Sequence, residues 1–299
     1  MKIKMVTGVL AALTLSLCSL VNAEEVTLKF KGHILDADLR MAEGKGLDAP
    51  LVLLTHGTLA HNHMEIMEAF QTQLTDAGFN TLGINLSLGL DNRHGMYDCA
   101  TPHRHTHREA VDEIGAWMDW LKSKGVKHVI LLGHSRGGNQ TAWYAAEHDN
   151  PMIQKVVLVA PATWSKGAEA KAYKKNFHKD LAPVLAHARQ LVAEGKGDEL
   201  LKNTDFLYCP NTSVSARSFV DYYADEPRFD TPSLLQKIAK PVLVVAGSED
   251  TTVPDVAQKV KPLADGKRIK LVVIDGADHF FRDLYNEDAT DAITAFIRE

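Results

Sequence analysis

His128-Val129-Ile130-Leu131-Leu132-Gly133-His134-Ser135-Arg136-Gly137-Gly138-Asn139-Gln140-Thr141-Ala142 sets an apolar run, a Gly-x-Ser-x-Gly turn and the opening of a helix in direct succession. A serine on so tight a strand-to-helix turn is held in strained backbone geometry, and the flanking glycines are needed because side chains there would collide with neighbouring strands. The turn lifts the hydroxyl clear of the sheet. It also sets the hydroxyl at a helix N-terminus, whose free N–H groups stabilise negative charge. A glycine-rich turn with an incidental serine is the alternative, and the strand before and helix after weigh against it.

Outward from this turn, β-rich runs alternate with stretches of helical period, the pattern of parallel βαβ units. Residues 51–54, 81–86, 128–132, 155–160, 241–246 and 269–274 read as strands rich in Val, Leu and Ile, as expected of a parallel sheet covered on both faces. Met67, Phe70, Leu74 and Ala77 mark an amphipathic helix that ends near Gly78. Thr106 and Glu109 form a capping box before the apolar face Ala110, Ile114, Trp117 and Leu121. Residues 25–42 alternate more loosely, like an antiparallel hairpin on the sheet edge. Between residues 161 and 232 no strand is evident, and patterns rich in Ala, Lys and Leu predict a helical lid inserted into the domain.

The 299 residues, 45% hydrophobic and 24% charged, are enough for one large core. A net charge of −5 with scattered cations excludes a basic field for nucleic acid. Lys2 and Lys4 precede an apolar run over residues 5–20, and Val21-Asn22-Ala23 ends as a signal-peptidase site does. Residues 1–23 are therefore expected to be a signal peptide, residues 24–299 the mature domain, and the location periplasmic or secreted, without stable membrane insertion. Cys18 raises a lipoprotein alternative, against which Leu17 stands where a small residue is usual.

A serine hydroxyl needs a base. Of the 14 histidines only His279 lies in a loop just past the last strand, at the sheet edge where the Ser135 turn opens. Asp250, after the strand at 241–246, is the candidate for orienting His279, with Glu249 its nearest competitor. His56-Gly57-Thr58 follows the strand at 51–54, so the Thr58 N–H can join that of Arg136 in an oxyanion hole.

Strand-His56-Gly57, strand-Gly133-x-Ser135-x-Gly137, strand-x-Asp250 and strand-x-His279 together resemble the α/β-hydrolase superfamily, over roughly residues 25–299. The resemblance implies a mostly parallel eight-stranded sheet flanked by helices and cofactor-free hydrolysis of a small-molecule ester, thioester or amide. The expected reaction is esterase- or lipase-like acyl transfer through an acyl-enzyme on Ser135, with no metal. A peptidase of the same fold and a non-catalytic binding protein on this scaffold are the rivals.

Trp164, Tyr173, Phe177, Phe206, Tyr222 and Tyr223 of the lid are candidates to wall an acyl pocket, or else pack the lid onto the core. His94, Cys99, His103, His105 and His107 crowd the loop before the capped helix, near Asp91 and Asp98. Three alternating histidines can ligate a metal, but solvated histidines at the rim of the site are the simpler expectation. Arg93 and Arg104 in the same loop are candidates to meet an anionic substrate. Cys99 and Cys209 are either a disulfide tying lid to core or two separately buried thiols.

Overall fold

The structure, a computed structural model, describes residues 23–299. The expected leader up to Asn22, with Cys18 in it, lies outside the described residues. The chain runs β1 (Ala23–Phe30), β2 (His33–Arg40), β3 (Leu51–Thr55), α1 (Glu65–Asp76), β4 (Asn80–Asn85), α2 (His107–Ser123), β5 (Val129–His134), α3 (Ser135–Glu147) and β6 (Ile153–Val159). An insertion follows: α4 (Ala168–Phe177), α5 (Leu181–Ala193), β7 (Leu200–Phe206), β8 (Cys209–Ser215), α6 (Ala216–Tyr223) and α7 (Thr231–Leu235). The core resumes with β9 (Val242–Gly247), α8 (Val256–Val260), β10 (Ile269–Ile274) and α9 (Leu284–Arg298).

One eight-stranded sheet takes the order β1-β2-β4-β3-β5-β6-β9-β10. The β1–β2 and β2–β4 pairs are antiparallel and the remainder parallel. Strands β3, β5, β6 and β9 are buried almost throughout, which is why they read as unbroken apolar runs. The capping box at Thr106 and Glu109 forms, and Ala110, Ile114, Trp117 and Leu121 of α2 are buried. The chain steps from β3 outward to β4 and then returns to the other side of β3 as β5. Ligands bind at such a switch point, outside the carboxyl ends of the strands. The His56 turn after β3 and the Ser135 turn after β5 both lie there.

The lid is not wholly helical, as the sequence predicts it to be. β7 and β8 pair as an antiparallel hairpin with irregular register. Their segments, Leu-Leu-Lys-Asn-Thr-Asp-Phe and Cys-Pro-Asn-Thr-Ser-Val-Ser, lack a run of β-branched residues and so carry little strand signal. Packing supplies what propensity does not. Leu201, Phe206 and Val214 bury into a separate lid core with Leu181, Leu185, Phe219 and Tyr223.

Candidate active site

Ser135 sits at φ +56°, a left-handed conformation that costs a non-glycine residue about 1–3 kcal/mol. Close packing around it holds the strain. A Cβ on Gly137 would lie 2.1 Å from the His56 carbonyl oxygen, and one on Gly133 would lie 2.5 Å from that of Gly137. Only glycine lets the first turn of α3 seat against the end of β3.

The loop after β10 brings His279 Nε2 to 2.9 Å from Ser135 Oγ. The turn after β9 brings Asp250 Oδ2 to 2.7 Å from His279 Nδ1. Asp250 Oδ1 accepts from the N–H groups of Thr252 and Val253 at 2.7 and 2.9 Å, so the carboxylate is held at both oxygens. Burial pushes its carboxyl up, but the His279 contact and those two N–H groups together hold it below the usual value. Glu249 is exposed.

His134, between the glycine and the serine of the motif, has a role the sequence reading did not find. Its Nε2–H donates to the His279 carbonyl at 2.9 Å and so anchors the loop that carries His279. Burial, reinforced by the neighbouring His279, drives His134 down to about 3, so it is neutral. His56 is neutral for the same chief reason, also near 3, with Arg93 adding to it. It bonds the Gly57 carbonyl and the Leu86 N–H, and so shapes the turn before Thr58.

Arg136 Nε donates to Thr58 Oγ1 at 2.8 Å, tying together the two turns expected to form the oxyanion hole. Among the described residues no hydrogen bond engages the backbone N–H of Thr58 or Arg136. Arg136 is further held through its second nitrogen, 2.8 Å from His107 Nε2, and lies over the Tyr222 ring.

The expectation of solvated histidines is corrected. His94 is exposed and meets Glu25, but His103, His105 and His107 are buried where the lid covers their loop. His103 Nδ1 and His105 Nε2 share one hydrogen bond, and His105 Nδ1 meets the Tyr222 hydroxyl at 2.8 Å. Burial lowers all three, His103 to about 4. Neutral rings stacked among Tyr97, Phe206, Tyr222 and Phe229 form a lid-to-core seam. Elsewhere, Asp38, His63 and Glu68 cluster, but Arg40 already pairs with both carboxylates.

Arg93 is likewise no substrate arginine. It is buried and donates to the carbonyls of Leu86 and Ala60 and to Asn85. Arg104 reaches the Asp198 carbonyl of the lid. Among the six lid aromatics, Tyr173, Phe206, Tyr222 and Tyr223 lie in the lid core, and none of the six lines the cavity above Ser135. That cavity, about 290 Å³, is walled instead by Met64, Met96, Tyr208, Thr252 and Phe280 around Gly57, Thr58, His134, Ser135 and His279. Cys99 and Cys209 are joined as a disulfide between the core loop and the lid hairpin. The signal for Tyr208 and Met96 is their place beside the two cysteines.

Known proteins share this architecture. Similar in sequence are 2-(acetamidomethylene)succinate hydrolase of Mesorhizobium japonicum, 24% identical over 83% of this chain and 88% of its own length, and a bifunctional esterase/perhydrolase of Acinetobacter calcoaceticus, 24% identical over 63% of this chain and 72% of its own. Est1E of Butyrivibrio proteoclasticus with ferulic acid bound superposes with a TM-score of 0.62 at 22% identity, covering 91% of this chain and 97% of that one. The profile of the alpha/beta hydrolase fold matches residues 50–282. With an eight-stranded sheet of this order beneath it, that match spans most of the chain, which belongs to the α/β-hydrolase fold family.

Proposed function

We propose that the protein is an exported serine hydrolase that cleaves small carboxylic esters by two-step acyl transfer. The observation that carries the proposal is the continuous chain Ser135 Oγ to His279 Nε2, His279 Nδ1 to Asp250 Oδ2, opening into a largely apolar cavity. His279 takes the hydroxyl proton as Ser135 attacks the carbonyl, and Asp250 stabilises the imidazolium that forms. The oxyanion rests on the N–H groups of Thr58 and Arg136. His279 returns the proton to the departing alcohol, then activates the water that releases the acid. Esterase and hydrolase names among the relatives support an ester, and the Cys99–Cys209 bridge is consistent with an oxidising compartment.

One experiment tests reaction class and export together. Expressed with its leader in a Gram-negative host, the protein is expected in the periplasm with Glu24 as its first residue. There it is expected to take a fluorophosphonate label on Ser135 and to turn over p-nitrophenyl esters faster than aminoacyl anilides. A folded protein that refuses the label would overturn the catalytic reading. An intact Met1 in the cytoplasm would overturn export.

The Arg136 side chain serves alignment in this scheme rather than substrate charge. Arg136→Met removes the tie to Thr58 while leaving both backbone N–H groups in place. We expect kcat on p-nitrophenyl acetate to fall about tenfold with KM nearly unchanged, less than the 10²–10³ typical when an oxyanion donor is deleted. A raised KM at unchanged kcat would mean that Arg136 binds substrate instead.

A further inference from the structure

We infer that Tyr208, held over the Ser135 cavity by the Cys99–Cys209 disulfide, and Met96, which faces the same cavity from the core loop, determine which esters the site accepts. The inference rests on the esterase reading above. Large apolar side chains left exposed on a folded protein invite an explanation when they gather around one feature. Tyr208 is 62% and Met96 59% exposed, and both line the cavity over Ser135. They approach it from opposite parts of the fold, Tyr208 from the lid and Met96 from the core loop that precedes α2.

Tyr208 occupies the second position of the two-residue turn between β7 and β8, closed by the Phe206–Cys209 pair. Leu207, the other turn residue, adopts φ +56° and packs inward, its N–H donating to the Tyr223 hydroxyl at 3.0 Å. The turn therefore sends one side chain into the lid and leaves the other over the cavity. Met96 is held from the core side, because the next residue, Tyr97, donates its N–H to the Leu59 carbonyl and stacks on His103.

The attachments of the hairpin are unevenly distributed. Its base is sewn to the core by His103 N–H to the Ser213 carbonyl and Ser215 N–H to the His103 carbonyl, and its middle by Thr212 Oγ1 to the Cys99 carbonyl. At the tip, adjoining Tyr208, the disulfide makes the link to the Cys99 loop. Isolated two-stranded hairpins are marginal, so a tip without its anchor frays first. The bridge thus acts as a positioning device for Tyr208 as well as a staple.

The substrate class follows from the walls. At about 290 Å³ the cavity sits at the lower limit of ligand pockets, roughly 300–1,000 Å³. Two thioethers, Met64 and Met96, and two rings, Phe280 and Tyr208, give it soft, polarisable surfaces that favour planar apolar groups. The group seated there is a single compact unit such as a benzoyl ring, rather than a long acyl chain.

The test compares kcat/KM for p-nitrophenyl benzoate with that for p-nitrophenyl acetate. The benzoate-to-acetate ratio is expected to fall about tenfold in Tyr208→Ala, the scale of losing one apolar wall. It is expected to recover in Tyr208→Phe, since the Tyr208 hydroxyl has no hydrogen-bond partner among the described residues. A Cys99→Ser/Cys209→Ser variant, which replaces each sulfur by a hydroxyl and so removes the link, should shift the ratio in the same direction. If that variant does not fold, folded wild type reduced with a phosphine replaces it. An unchanged ratio in Tyr208→Ala, with Ser135 still taking a fluorophosphonate, would overturn the specificity role. A shifted ratio there with none in the unlinked protein would overturn the role of the bridge. A wild type that takes no label would instead sink the esterase reading on which both depend.

Discussion

Ser135→Ala is expected to lower kcat on a matched p-nitrophenyl ester by about five orders of magnitude while leaving the fold intact. The size follows from the chemistry: a nucleophile that acts as a unit with its base carries nearly the whole covalent route, and its loss leaves only binding and oxyanion stabilisation. The fold survives because alanine at φ +56° is no more strained than serine, and Cβ is already present. The substitution removes one oxygen and one hydrogen bond, that to His279 Nε2, a contribution of about 0.5–1.5 kcal/mol. For a chain of this size such a loss moves the unfolding midpoint by a few degrees. Kinetics and a thermal melt on the same preparation check both halves. Residual activity within tenfold of wild type would mean that another group attacks the carbonyl.

The parts of the molecule legible in the sequence are those governed by local rules. The buried strands announce themselves through unbroken Val, Leu and Ile, and the capped helix through Thr106 and Glu109, because strand and helix periodicity are properties of neighbouring residues. Ser135, Asp250 and His279 can be picked out for a related reason: Ser135 directly follows β5, and the other two stand in the loops that leave β9 and β10, so the sheet decides where each loop opens.

What escaped the reading depends on residues far apart in the chain. His103, His105 and His107 have the composition of a solvated loop, yet they are buried because Phe206 and Tyr222, more than 90 positions away, cover them. Arg93 reads as a substrate cation until its carbonyl partners at Leu86 and Ala60 are placed around it. The β7–β8 hairpin is the clearest case. Its residues do not favour strands locally, and it persists through the lid core, the His103 bridge and the disulfide. Since that hairpin contributes Tyr208 to the cavity wall, the residues that meet around Ser135 are readable from the sequence while the shape of the cavity is not.

Asp250→Asn is expected to depress kcat by about four orders of magnitude, against less than a twofold change for Glu249→Gln. The backbone around Asp250 makes the expectation sharp. Two N–H groups, of Thr252 and Val253, converge on Oδ1. An asparagine there must turn its carbonyl oxygen toward them, because an NH₂ group would set donor against donor. Its NH₂ then faces His279 Nδ1, where Asp250 Oδ2 stood at 2.7 Å. A donor in that place stabilises the tautomer that keeps its proton on Nε2, so the ring offers Ser135 a hydrogen instead of a lone pair. The geometry survives and the base does not, the situation in which losses near 10⁴ are expected. Glu249, exposed and one residue earlier, cannot substitute, since its carboxylate lies outside the buried contact with His279. The two variants, assayed side by side for kcat and for the rate of fluorophosphonate labelling, decide the assignment. Equal losses, or a larger one for Glu249→Gln, would show that a different carboxylate balances the imidazolium. Slow labelling confined to Asp250→Asn would place the defect in proton abstraction from Ser135, which is the step that the Asp250 to His279 contact serves.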